Sequence, residues 1–159
     1  DLIEIGNEDD LTGGCETYPD RFNQLYKAIH DKYPHITIIA SHGNYSCLPS
    51  PLPKDVIIDL HLYRAPDDFV KLFDQFDNQP RNQSVMVGEF GCRNTTAERG
   101  VSWPYMQGSC SEAVYMIGME RNSDIVKMAT YAPLIQHFGF DNWTVRISIQ
   151  ESVKATLGI

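Results

Sequence analysis

Two glutamates stand far apart in the chain in similar surroundings: Glu8 closes Ile5-Gly6-Asn7-Glu8, and Glu89 lies in Val87-Gly88-Glu89-Phe90. Each ends an apolar run rich in β-branched residues, which reads as a buried strand. A carboxylate placed just past a glycine at such a strand end is poised to leave the apolar layer for a pocket. Parallel strands in barrels carry their reactive side chains at their C-terminal ends, so two such carboxylates can serve one bond. Glycoside hydrolysis needs that pair, one group protonated and one ionised. Either glutamate taken alone also fits a strand-end surface residue. The Asn-Glu context and the second motif together favour the catalytic reading.

A second constellation is Asp59-Leu60-His61-Leu62-Tyr63. The two-residue period of a strand puts Asp59, His61 and Tyr63 on one face and the leucines on the other. A strand with one polar stripe lines something wet, and His with Tyr can hold hydroxyls or orient a carboxylate. The plainer alternative is a satisfied core histidine beside a tyrosine whose hydroxyl reaches solvent. Zinc is a weaker reading, because neither His30 nor His35 stands at ligand spacing. Asp9 and Asp10 read as solvated loop acids rather than metal ligands. Trp103 either stacks on a sugar ring or packs as a rim residue. No phosphate loop, dinucleotide fingerprint or G-x-S-x-G elbow is present.

These residues need elements to hold them. Thr17 can cap a helix with Pro19 in its first turn, and Phe22, Leu25, Tyr26, Ile29 and Tyr33 recur at helical spacing until Pro34. A short apolar strand spans Ile36 to Ala40, followed by a loop from Ser41 to Lys54 and a strand from Val56 to Tyr63. Pro66 opens a second helix with Phe69, Leu72, Phe73 and Phe76 on one face, and a strand follows from Ser84 to Glu89. Residues 91–110 form a long excursion, Ser111 to Met119 a third helix, and Ile125 to Tyr131 the last strand. The order β-α-β-β-α-β-α-β predicts a parallel α/β sheet covered by helices. Five strands make either a small open sheet, which periodicity alone favours, or part of an eight-stranded barrel.

Thirteen Lys and Arg against 21 Asp and Glu leave a net charge of −8, with no basic cluster to meet nucleic-acid phosphates. A neutral ligand fits better. No apolar run approaches the ~20 residues that span a bilayer. The chain begins at Asp1 and enters an apolar run at once, which suggests a fragment. Four Asn-X-Ser/Thr sites, at Asn44, Asn82, Asn94 and Asn142, favour a secreted, glycosylated protein. Cys15, Cys47, Cys92 and Cys110 allow three fully paired connectivities, or stay as buried thiols.

The segments Glu4-Ile5-Gly6-Asn7-Glu8-Asp9, Asp59 to Tyr63 and Val87 to Phe90 carry a family resemblance. So, above all, does Tyr115 to Asp124, with its Met-Glu-Arg-Asn-Ser-Asp, continuing to Leu134. Together they resemble family-51 glycoside hydrolases, the α-L-arabinofuranosidases, over residues 1 to about 143, with the sequon-rich habit of secreted fungal members. The resemblance implies a retaining hydrolase that needs no cofactor and releases terminal non-reducing α-L-arabinofuranosyl units from arabinan or arabinoxylan side chains. It implies an incomplete (β/α)8 TIM barrel over 1–144, holding approximately strands four to eight. Residues 145–159 would begin a truncated C-terminal region, the family's β-sandwich being missing. Carried onto matching positions, Glu8 is similar to the acid/base and Glu89 to the nucleophile. Asn7 is similar to the residue that holds the 2-hydroxyl, and His61 and Tyr63 to pocket residues that position the nucleophile. The first three strands, with the Glu and Asn that hold arabinose in relatives, have no counterpart, and the amide after the last strand is replaced by Pro133 or His137. The rival expectation is an inert remnant or sugar-binding module.

Overall fold

A computed structural model describes residues 1–11, 13–41, 47–93, 106–132 and 134. Five strands form one sheet in chain order: β1 (Leu2–Ile5), β2 (Thr37–Ala40), β3 (Ile57–Arg64), β4 (Val85–Cys92) and β5 (Val126–Tyr131). β1 pairs with β2 in parallel with Ile5 opposite Ala40, and β2 with β3 in parallel with Ala40 opposite Ile58. The ladder continues through Ile58 N–H to Ser84 O at one end of β3 and Arg93 N–H to Arg64 O at the other, so β4 runs the same way. Val85 N–H to Ile125 O and Ala132 N–H to Phe90 O orient β5 likewise. The helices are α1 (Tyr18–Lys32), α2 (Pro66–Lys71) and α3 (Met106–Arg121), with a short 3₁₀ turn at Gly14–Glu16. The expected parallel α/β order is present. None of the described helices is long and apolar enough to cross a membrane.

The chain divides into two compact units, the first comprising residues 1–61, 80–88 and 123–129. Its core gathers Ile5, Tyr18, Phe22, Ile38, Ala40 and Val56, with Tyr26 and Ile29 packed against it. On α1 the buried stripe is therefore Tyr18, Phe22, Tyr26 and Ile29; Leu25 and Tyr33, expected on that face, are exposed. Spacings of four, four and three keep the first set on one helical line, and Leu25 falls off its edge. Thr17 stands at the helix start but does not cap it. Its hydroxyl donates to Gly14 O at 3.2 Å and accepts from Arg21 Nε at 3.3 Å. A disulfide joins Cys15 to Cys47, while Cys92 and Cys110 remain thiols.

The second unit comprises residues 62–79, 89–122 and 130–159. Tyr115 is its centre, with ring centroids 5.2 Å from Phe69, 6.2 Å from Phe76 and 6.1 Å from Phe90. Helix α3 starts earlier than expected, at Met106, and buries Gly108, Ser111, Glu112, Tyr115, Gly118 and Met119, a stripe of three- and four-residue steps. Gly108, which suggests a loop, lies here on the packed face, where a small residue lets the helix sit close. Helix α2 is shorter than its apolar pattern suggests, ending at Lys71 and continuing as turns.

The Met-Glu-Arg-Asn segment at the end of α3 is structural. The Arg121 guanidinium covers the Phe73 ring at 4.2 Å and pairs with Asp77 at 2.6 Å. Asn122, buried, donates to Asp77 Oδ1 at 2.8 Å and Gly118 O at 2.9 Å. Together they hold the turns after α2 onto α3.

Candidate active site

Strand β1 delivers Glu8 through a sharp exit. Gly6 has φ +90°, and a Cβ there would overlap the Asp9 carboxylate, so only glycine fits without rearrangement. Glu8 itself has φ 47°, the left-handed region that costs a residue bearing a Cβ about 1–3 kcal/mol. Several bonds hold it there. Its N–H donates to Ser41 Oγ at 2.9 Å, and its carbonyl accepts from Leu11 N–H at 3.0 Å. Tyr18 Oη donates to Ile5 O at 2.7 Å, a buried bond that fixes the strand end; burial is the main reason its hydroxyl titrates well above the usual tyrosine range. Asp9 pairs with Arg21 at 2.5 Å and accepts from Asn7 N–H at 3.1 Å, so it shapes the loop instead of standing solvated.

The polar stripe of β3 supplies partners to Glu8 and to Glu89; Glu89 lies inside β4, which runs on to Cys92 instead of ending at Glu89 as expected. Nδ1 of His61 lies 3.0 Å from Glu8 Oε1, and its Nε2 lies 2.7 Å from Asp59 Oδ2. Asp59 Oδ1 accepts from Gly88 N–H at 2.8 Å. Two residues further along β3, Tyr63 Oη donates to Glu89 Oε2 at 2.5 Å. The side chain of Glu8 is 29% exposed and that of His61 only 7%, so the acid is open to a ligand while its partner is not.

The expected residues fare unequally. Glu8, His61, Tyr63 and Glu89 take part in the hydrogen bonds above. Asn7 is exposed beside Glu8 at the end of β1. Trp103, Pro133 and His137 lie outside the described residues, as do Asn44, Asn94, Asn142 and the boundary at 144. The sequence reading overlooked Ser41, assigned to a loop, and left Asp59 without a role. The stripe Asp59-His61-Tyr63 was the signal for Asp59; nothing local marks Ser41. It also missed Glu112, a buried carboxylate that accepts from Cys92 N–H at 2.5 Å and Tyr131 Oη at 3.0 Å. Burial holds Glu112 above the usual carboxylate range, against those two donors.

Comparison with known proteins adds the lineage. The family model described as Alpha-L-arabinofuranosidase 1 domain matches residues 1–81, and the Alpha-L-arabinofuranosidase C-terminal domain model matches residues 88–157. The chain is 57% identical over 144 residues to a probable alpha-L-arabinofuranosidase A of Emericella nidulans, covering 90% of this chain and 25% of that protein. It is 48% identical over 143 residues to the alpha-L-arabinofuranosidase A of Aspergillus kawachii, covering 90% and 22%. The chain thus spans about a quarter of the length of these curated relatives. Among solved structures, arabinose-bound MgGH51 α-L-arabinofuranosidase aligns with a TM-score of 0.77 at 32% identity, over 88% of this chain and 23% of that one. The two glutamates, their β3 partners and these matches lead to one conclusion: the chain belongs to the α-L-arabinofuranosidase family, the family-51 glycoside hydrolases.

Proposed function

We propose that this chain carries the catalytic carboxylates of a retaining α-L-arabinofuranosidase, on strands that correspond to the fourth to eighth of a (β/α)8 barrel. One observation carries the reading: two residues on one face of β3, His61 and Tyr63, bond to the two glutamates, His61 to Glu8 and Tyr63 to Glu89. A two-step displacement asks for a partner at each carboxylate. Glu89, oriented by the Tyr63 hydroxyl, attacks the anomeric carbon while Glu8 gives its proton to the departing oxygen. Water then attacks the glycosyl-enzyme, its proton passes to Glu8, and the Glu89 carboxylate is released. Asn7 holds the sugar 2-hydroxyl, and Trp103 supplies a stacking face. The substrate class is arabinan, arabinoxylan or similar chains with terminal arabinofuranosyl units.

Secretion is part of the same proposal. The Cys15–Cys47 disulfide and the exposed Asn82, which heads an Asn-Gln-Ser acceptor site in a turn, support an oxidising, glycosylating route. The test is hydrolysis of 4-nitrophenyl α-L-arabinofuranoside by the full-length protein beside a Glu89→Gln control. Turnover that disappears in the control is expected; turnover that survives it overturns the assignment.

A further inference from the structure

We propose that Ser41 is a positioning residue for the proton-transfer steps: by accepting from Glu8 N–H it holds the strained backbone of Glu8 and so sets where the Glu8 carboxyl group stands. The inference rests on the glycosidase reading above and gives a part in it to a residue which that reading does not use.

Glu8, with φ 47°, is the one residue other than glycine at positive φ among the described residues. Left to itself such a backbone relaxes to the extended or right-handed region, and the Cα–Cβ bond changes direction with it. Two bonds flank Glu8 and oppose that rotation. Its N–H donates to Ser41 Oγ at 2.9 Å, and its carbonyl accepts from Leu11 N–H at 3.0 Å. The second bond lies inside the turn and moves with it. The first comes from the neighbouring strand, because Ile5 pairs with Ala40 and Ser41 is the next residue. Ser41 N–H is itself tied back to Ile5 O at 3.4 Å, so the hydroxyl and the end of β1 share one frame. Arg21 also tethers the turn through Asp9, but its side chain is 44% exposed, and a pair open to solvent is a weak anchor.

Ser41 is only 3% exposed, and a hydroxyl buried to that degree is costly unless it is hydrogen-bonded. Its oxygen is given to the backbone of the residue that manages the proton. With the backbone held there, the Glu8 carboxyl group lies 3.0 Å from His61 Nδ1 and stays partly open to a ligand. Proton transfer is sensitive to such placement: the group must stand within hydrogen-bond reach of the leaving oxygen, and an error of about 1 Å can cost about a hundredfold.

The test separates the steps that need Glu8 from the step that does not, in the full-length enzyme. Ser41→Ala removes the acceptor and keeps the Cβ. For phenyl α-L-arabinofuranoside, whose departure needs a proton, kcat/KM should fall by about tenfold or more. For the 2,4-dinitrophenyl substrate, whose departure needs none, kcat/KM should stay within about threefold. On that substrate kcat and KM should fall together as the glycosyl-enzyme accumulates, because water still needs Glu8 as its base; azide, which needs no base, should restore kcat. A serine that only stabilised the fold would not separate the two substrates. If Ser41→Ala fails to fold by circular dichroism, Ser41→Cys keeps the shape with a weaker acceptor and should show the same separation at smaller size. Parallel loss on both substrates, loss on neither, or a lowered kcat that azide leaves unchanged overturns the inference while the glycosidase reading stands. A wild type inactive on both substrates overturns that reading and this inference together.

Discussion

The Tyr63 hydroxyl donates to Glu89 Oε2 at 2.5 Å, across neighbouring strands and partly shielded from solvent. A donor so close to a carboxylate fixes which oxygen lone pair is free to attack, and it is a charge-assisted bond of the stronger kind.

Tyr63→Phe in the full-length enzyme should therefore keep the fold and lose rate. Removing one bond to a charged group is worth about 1.5–3 kcal/mol, or roughly ten- to a hundredfold in kcat/KM. Steady-state kinetics with an activated arabinofuranoside checks it. A variant within twofold of wild type would show that Tyr63 is not what orients Glu89.

How much of this was legible in the sequence depends on range. The period of two in Asp59-Leu60-His61-Leu62-Tyr63 is local, so the shared face of three polar side chains could be read directly. Glu8 and Glu89 were legible because apolar runs end just before them. What local pattern could not show was who bonds to whom. Ser41 meets Glu8 N–H only because β2 lies beside β1, and the positive φ of Glu8 is set by that neighbour and by Leu11. The third helix was expected to open at Ser111, next to Glu112; it in fact begins at Met106, and Glu112 lies on its buried face. The Cys15–Cys47 pairing was one of several arithmetic possibilities and depended on where the 3₁₀ turn would sit.

Glu112 gives a pH dependence whose sign can be worked out. Burial is the largest influence and raises its proton affinity in the folded state, with Cys92 N–H and Tyr131 Oη opposing. The folded protein thus binds this proton more tightly than the unfolded chain. The stability it contributes is fully present below the ordinary carboxylate value of 4.5 and is lost as pH rises through the folded value. Thermal unfolding of wild type and Glu112→Gln should show the wild type gaining relative to the variant between pH 7 and pH 4.5. A difference in Tm that does not vary with pH would remove Glu112 as the source.

The central claim is that Glu89 becomes covalently bonded to the sugar while Glu8 manages the proton. The full-length Glu8→Ala variant, mixed with 2,4-dinitrophenyl α-L-arabinofuranoside, should form the glycosyl-enzyme quickly and hydrolyse it slowly, because departure needs no acid but water needs a base. Intact-protein mass spectrometry followed by peptide mapping reads the outcome directly. One added arabinosyl unit on the peptide that contains Glu89, discharged by azide, is the predicted result; an adduct on another residue, or steady turnover with no adduct and an inverted product, would contradict it.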